Sequence, residues 1–345
     1  MADGAGSCKL PVAGQWIQDL ASMPVVEKYT GKVIATVPVV GRETVERAVV
    51  GAREAFMAYR SMPAHRRASI LARAVQILER RKEELAELIC REAGKAWKYS
   101  LGEVSRAMET FQFSAEEAKR IHGETVPMDA SPTGEGRLGF YLRTPVGVVA
   151  AITPFNFPLN LVAHKVGPAL AGGNCVVLKP ASTTPLTAIR LAEILEEAGL
   201  PAGVFSIVVG PGDTVGDWLV RHREVAKVSF TGSPPVGEAI IRRAGLKKVT
   251  LELGNNSGTI IEPDADLDDA VPRCVMSAFA NSGQVCISLQ RLYAHREIAA
   301  ELTRRFVDLT AKLVVGNPLD RDCDVGPMIA ESEAARAELW VTEAV

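Results

Sequence analysis

The sequence predicts an α/β fold built on a doubly wound parallel sheet, and two observations carry that prediction. From Val146 onward, short apolar runs alternate with amphipathic stretches. The runs are Val146 to Ile152, Cys175 to Leu178, Val204 to Val209, Val225 to Phe230 and Val249 to Leu253; the stretches lie around Leu161 to Leu170, Leu186 to Ala198, Thr214 to Val220 and Val236 to Ala244. The runs also read as strands covered on both faces, the condition of parallel strands joined by crossover helices. In such a sheet, ligands gather beyond the carboxyl ends of the strands.

Before the alternation begins, residues up to Val40 read as short peripheral strands, Ile34 to Val37 among them. From Thr44 the pattern turns helical, with Val45, Val49, Ala52 and Phe56 recurring at three and four. One longer helix is expected next, with Leu71, Val75, Leu78, Leu85 and Leu88 as its apolar stripe, Arg80 to Glu84 on its wet side and Gly94 as its C-terminal cap. A third helix carries Val104, Met108, Phe111 and Ala115 to about Ile121. Between His122 and Pro145 the turn Ser131 to Gly136 is flanked by short alternating pieces, such as Leu138 to Leu142, and reads as a projecting hairpin. Hairpins of this kind add to a neighbouring subunit's sheet, which points to a homo-oligomer.

With 345 residues, 47% of them hydrophobic, the chain can bury the cores of two domains. A net charge of -2 gives no electrostatic reason to expect nucleic acid or a membrane as partner, and no apolar run reaches the length of a membrane span. Met1 to Leu10 shows no targeting pattern, so a cytoplasmic location is expected. The six cysteines, at 8, 90, 175, 274, 286 and 323, form no CxxC pair, and the five histidines show no ligand spacing; neither a disulfide framework nor a metal is expected.

The strand ends hold the chemistry. After the first strand comes Thr153-Pro154-Phe155-Asn156-Phe157-Pro158-Leu159, where Asn156 is either a turn or cap residue or an amide donor aimed into the crevice. After the second, Lys179-Pro180-Ala181-Ser182 sets a lysine either in solvent or beside a nucleotide's ribose or phosphate. After the fourth, Phe230-Thr231-Gly232-Ser233-Pro234-Pro235-Val236 opens a helix whose free N–H groups suit a pyrophosphate, although the run is not GxGxxG. After the fifth, Glu252-Leu253-Gly254 ends an apolar strand on a carboxylate, which is costly unless it is paired or used. Last, Phe279-Ala280-Asn281-Ser282-Gly283-Gln284-Val285-Cys286 delivers one thiol after a small-residue turn, at the end of a helix through Asp269, Val271 and Val275. By itself Cys286 is either a small buried hydrophobe or a nucleophile.

Taken together, five of these pieces resemble the aldehyde dehydrogenase superfamily in order and spacing: Pro154-Phe155-Asn156-Phe157-Pro158, Gly173 to Pro180, Phe230 to Ser233, Leu251 to Gly254 and Gly283-Gln284-Val285-Cys286. The resemblance runs from about Gly14 to the last residue. It implies a Rossmann-like cofactor domain in residues 1–122 and 146–254, an oligomerisation hairpin in 123–145 and a catalytic α/β domain in 255–345. It also implies oxidation of an aldehyde to its acid with NAD, NADP being possible. Cys286 would attack the aldehyde, Asn156 and the Cys286 backbone N–H would hold the resulting oxyanion, and Glu252 would activate water to release the acid. A reductive, semialdehyde-forming use is disfavoured by Glu252.

The cofactor residues implied are Ile152, Thr153, Pro154 and Phe155; Lys179, Ala181 and Ser182; Gly212 and Gly216; Phe230, Thr231, Gly232, Ser233 and Val236; Leu253 and Gly254. Ser182 stands where many NAD-preferring relatives carry a glutamate, which leaves room for a 2′-phosphate. Arg106, His164 and Lys165 fall where the family lines the aldehyde pocket and suit a small polar or anionic aldehyde, in the style of the branch acting on lactaldehyde, phosphonoacetaldehyde and semialdehydes. A packing histidine and a surface ion pair are the alternatives for His164 and Arg106. Homodimers or homotetramers are expected at full length. Nothing after Gly326-Pro327-Met328 is similar to the family's usual continuation, so the catalytic domain is expected to be incomplete. That raises a second reading, a truncated relative that only binds nucleotide or partners.

Overall fold

The computed structural model describes residues 6–18 and 21–345; residues 1–5, part of the stretch read for a targeting signal, lie outside it. The N-terminal strands are peripheral. β1 (Gly6–Ser7), β4 (Ser22–Val26) and β5 (Val33–Pro38) form one small sheet, and β2 (Leu10–Val12) pairs with β3 (Gln15–Ile17) in another. Four helices follow: α1 (Arg42–Tyr59), α2 (Ala64–Arg80), α3 (Lys82–Ala93) and α4 (Trp97–Ala118). The single long helix expected from Leu71 to Gly94 is therefore two, broken at Arg81 (φ -102°, ψ 16°). Its apolar stripe continues in phase across the break, which hides it from periodicity. The charges mark it: the basic end of α2 meets a new N-terminus that gains from Glu83 and Glu84 in its first turn. Gly94 does cap α3, in the left-handed region at φ 72°. A Cβ there would lie 2.9 Å from the Pro327 carbonyl, so the cap also admits the C-terminal segment.

The predicted hairpin is present as β6 (Glu124–Val126) and β7 (Gly139–Tyr141), antiparallel, with Leu138, Phe140 and Leu142 exposed. The main sheet then forms from β8 (Val148–Ile152), α5 (Asn160–Ala171), β9 (Cys175–Lys179), α6 (Leu186–Glu197), β10 (Phe205–Ile207), α7 (Asp217–Arg221), β11 (Val225–Thr231), α8 (Pro234–Ala244) and β12 (Lys248–Glu252). Its order is β10-β9-β8-β11-β12 with every pair parallel. The chain winds outward from β8 one way and returns the other way through β11, so the crevice between those two strands is the switch point where such sheets bind ligands.

Burial follows position. β8, β9 and β10 are covered on both faces, whereas β12 alternates exposed and half-buried residues. The expectation that every strand is buried thus fails for β12, an edge strand packed mainly by β11 and α8, whereas the opposite edge, β10, is covered by β2, α1 and α6. The chain continues through β13 (Gly258–Ile261), α9 (Leu267–Phe279), β14 (Arg291–Ala294), α10 (Ala299–Thr310) and α11 (Glu331–Ala344). β13 and β14 pair in parallel, and Ile261, Val271, Cys274, Val275 and Leu302 form a second, smaller core under α9 and α10. Among the described residues no helix is long and apolar enough to cross a membrane.

Candidate active site

Helix α9 ends at Phe279, and the chain reaches Cys286 through three consecutive left-handed residues: Asn281 (φ 52°), Ser282 (φ 58°) and Gly283 (φ 74°). Left-handed backbone is unstrained for the glycine but costs about 1 kcal/mol or more at each of the other two, so the turn persists only because its surroundings hold it. Ser282 Oγ donates to the Gly326 carbonyl (2.6 Å), and the Gln284 amide side chain donates to the Asn281 carbonyl (3.0 Å) while accepting from the Ile329 N–H (3.0 Å). Cys286 leaves this turn half-buried. Its carbonyl accepts from the side-chain amide of Asn255, three residues past the end of β12.

The loop after β8 meets the same turn. Asn156 Nδ2 donates to the Gln284 carbonyl at 2.9 Å, and Asn281 Nδ2 reaches back to the Asn156 carbonyl at 3.5 Å. The Asn156 side-chain oxygen is buried and accepts nothing from the described residues. The amide therefore lies against the backbone two residues before the thiol and keeps a second N–H for another acceptor.

Sheet register assembles the nucleotide side. Ile152 stands beside Lys179 on β9 and Phe230 on β11, and one step further Thr231 stands beside Glu252 on β12. The Thr153 and Thr231 hydroxyls, at the switch point, are buried with no partner among the described residues. Lys179, expected to be solvated or beside a nucleotide, is buried, and burial lowers its ammonium pKa to about 8. Among the described residues its only hydrogen bond goes to the Pro180 carbonyl at 3.2 Å. Its stem passes close to Gly216, where a Cβ would sit 3.6 Å from Lys179 Cδ; Gly212 opens that same turn, Gly212–Gly216. Ser182 Oγ donates to the Gly210 carbonyl (2.9 Å), which leaves its lone pairs free to accept.

Phe230 folds its ring beneath Gly232, and Ser233 and Val236 lie exposed at the start of α8. Leu253 packs against Gly237, with Gly254 open beside it, while Pro154, Phe155 and Ala181 are half-buried on the two adjoining loops. A lysine with spare donors, orphaned hydroxyls and close glycines fit a dinucleotide.

Glu252 is exposed at the end of β12, so the cost argued for a carboxylate on an apolar strand does not arise. It is near enough to act on two groups of α5. Lys165 is buried, donates to Ser229 Oγ at 3.2 Å and has its pKa lowered to about 8, by burial first, with Glu252 opposing. His164 is exposed; partial enclosure and then the cations Arg106 and Lys165 lower its pKa, again against Glu252. Arg106, also exposed, lies 5.9 Å from the centre of the Phe157 ring, next to Asn156. Hydrogen bonds thus bring Asn156 to the turn before Cys286, and sheet register sets Ile152, Lys179, Phe230, Thr231 and Glu252 at the carboxyl ends of adjoining strands. Sequence reading missed Asn255, the Gln284 crosslinks and the left-handed turn; only the Asn-Ser-Gly run hinted at the last.

A model of the aldehyde dehydrogenase family matches residues 16–345. The chain is 50% identical over 336 residues to a 3-sulfolactaldehyde dehydrogenase of Priestia aryabhattai, covering 97% of this chain and 70% of that protein. It is 40% identical to a lactaldehyde dehydrogenase of Methanococcus aeolicus, with 97% and 71% covered. Among solved structures, aldehyde dehydrogenase 21 of Physcomitrella patens in complex with the reaction product succinate superposes with a TM-score of 0.96 at 40% identity, covering 99% of this chain and 71% of that one. A glyceraldehyde-3-phosphate dehydrogenase of Methanocaldococcus jannaschii complexed with NADP gives 0.90 at 40% identity, covering 94% and 71%. The chain spans about 70% of the length of these relatives.

Proposed function

The chain belongs to the aldehyde dehydrogenase family of NAD(P)-dependent oxidoreductases, and from that premise we propose that it oxidises a small polar or anionic aldehyde to its carboxylic acid through a covalent adduct on Cys286. The observation that carries this reading is the Asn156 amide lying 2.9 Å from the Gln284 carbonyl, which sets a donor against the turn that delivers the thiol. Cys286 Sγ, as thiolate, forms the new bond to the aldehyde carbon. The Asn156 N–H and the Cys286 backbone N–H donate to the oxygen that takes up the negative charge. Lys179, Ser182, Thr231 and Ser233 would hold NAD(P), which when bound would supply the acceptor for the hydride lost from the adduct carbon, leaving a thioester on Cys286. Glu252 removes a proton from water, the water oxygen attacks the thioester carbon, the carbon–sulfur bond breaks, and the thiolate is restored.

The substrate preference rests on charge. Arg106, 5.9 Å from the ring next to Asn156, lies close enough to His164 to lower its pKa, with Lys165 buried beneath, and a sulfonate or carboxylate on the aldehyde would be drawn to that positive charge. A sulfolactaldehyde-oxidising relative and a neighbour holding succinate support an anionic group, whereas the lactaldehyde relative calls for a neutral comparison. The test is aldehyde-dependent NADH formation by the purified chain with 3-sulfolactaldehyde, succinic semialdehyde and lactaldehyde. Activity with the first two above that with the third, and a rise in their KM alone in Arg106→Ala, is expected. No activity with any of the three, in protein that binds NAD, would leave a nucleotide-binding relative.

A further inference from the structure

Helix α5, which follows the Asn156 loop, begins without a cap of its own. Its N-cap position is Leu159, and no local side chain accepts from its first turn. The acceptor comes instead from α4: Glu103 Oε1 takes the Leu159 N–H at 2.9 Å and the Asn160 N–H at 3.0 Å. Glu103 is 1% exposed, and its other oxygen is paired with the Lys95 ammonium, also 1% exposed. Lys95 in turn sits 3.7 Å from the centre of the Phe157 ring, the residue after Asn156. The first turn of α5 and the ring beside the amide are therefore both fastened to one buried ion pair. The sequence carried a trace of it, since Glu103 lies on the apolar face that also holds Ala107 and Phe111.

We propose that Glu103 is a positioning residue: its carboxylate fixes the start of α5 and so holds the Asn156 amide at the turn carrying Cys286, while the Lys95 ammonium balances its charge. Neither touches substrate; Glu103 acts through Asn156. The inference rests on the reading of Asn156 as the oxyanion donor. A buried ion pair is weak evidence of stability by itself, because a well-packed apolar pair often serves as well. That makes the test feasible, since both charges can be removed together without stranding either one.

The decisive pair of variants is Lys95→Met with Glu103→Met, which deletes the acceptor, and Lys95→Met with Glu103→Gln, which keeps a carbonyl for the two N–H groups. The first should lower kcat about 10- to 100-fold with KM for NAD unchanged, the size of effect a displaced catalytic group produces. The second should stay within about threefold of the parent, because the acceptor that fixes α5 is retained. In an Asn156→Ala background the first pair should cost nothing further; a multiplied loss, equal losses in both pairs, or no loss would overturn the proposal. Hydrogen exchange gives a readout that needs no activity. The Leu159 and Asn160 amides should exchange faster in the Met/Met variant and not in Glu92→Gln, which alters the corresponding buried cap on α6, where Glu92 accepts from the Leu186 and Thr187 N–H groups. Unchanged exchange in Met/Met sinks the inference even if the parent oxidises no aldehyde, while an inactive parent with accelerated exchange sinks only the function on which it rests.

Discussion

Asn156→Ala separates chemistry from stability more cleanly than any other change at the site. The substitution deletes one hydrogen bond, Nδ2 to the Gln284 carbonyl at 2.9 Å, worth about 1 kcal/mol net. It also deletes the Asn156 side-chain oxygen, which is buried with no partner among the described residues and imposes a penalty of about 1–3 kcal/mol as it stands. The Gln284 carbonyl keeps a contact to Asn281 Nδ2 at 3.4 Å. These terms nearly cancel, so stability should stay within about 2 kcal/mol of the parent and Tm within about 4 °C. Loss of an oxyanion donor, in contrast, should lower kcat by about 10²- to 10³-fold, or about 3–4 kcal/mol of transition-state stabilisation. Steady-state NADH formation and a thermal melt on the same preparation check both halves. A melt lowered by 10 °C or so with kcat within a few-fold would refute the reasoning, because it would make Asn156 a structural residue.

The thiols should sort by environment. Burial pushes Cys90 up to about 11 and Cys175 up to about 12 and also raises Cys274, Cys323 and the equally half-buried Cys8, so iodoacetamide at pH 7 should label Cys286 first by mass spectrometry. Cys286→Ala should abolish activity, whereas Cys175→Ala and Cys274→Ala should spare it. Glu252→Gln should retain a burst of NADH and lose turnover in rapid-mixing experiments, and a missing burst would show that Glu252 acts before the thioester. For Lys179 the folded pKa is lowered to about 8, so between that value and 10.5 the unfolded chain binds more protons and stability contributed at this position rises with pH. Lys179→Met should therefore gain up to about 3 kcal/mol at pH 7 and little at pH 10, read from denaturant melts. NADP affinity in the parent should fall as pH rises through about 8, and a flat titration by cofactor fluorescence would remove Lys179 from the phosphate or ribose.

Much of this was legible in the chain because the signals are local. Alternation of apolar runs with helical periods named the five strands of the main sheet, and polar residues directly after those runs had to stand at its carboxyl edge, since a strand fixes where its next residue emerges. Periodicity was blind to the break at Arg81, because Leu78 and Leu85 remain in phase across it. It also could not rank the strands, and so missed that β12 is an edge with Glu252 in solvent.

What the sequence by itself determined is the inventory: a thiol after a small-residue turn, an amide, a carboxylate and a lysine, each at the end of its own strand or helix. Which of them meet was decided only by tertiary structure. Asn156 finds its acceptor 128 residues away, and Glu103 caps a helix that starts more than 50 residues later. Such partners are chosen by how helices pack on the sheet, and no window of sequence contains both ends of the bond. Burial is likewise a property of the assembled layers, which is why Lys179, read from the chain as solvated or beside a nucleotide, is buried in the fold, and why the buried Lys95–Glu103 pair was not singled out at all.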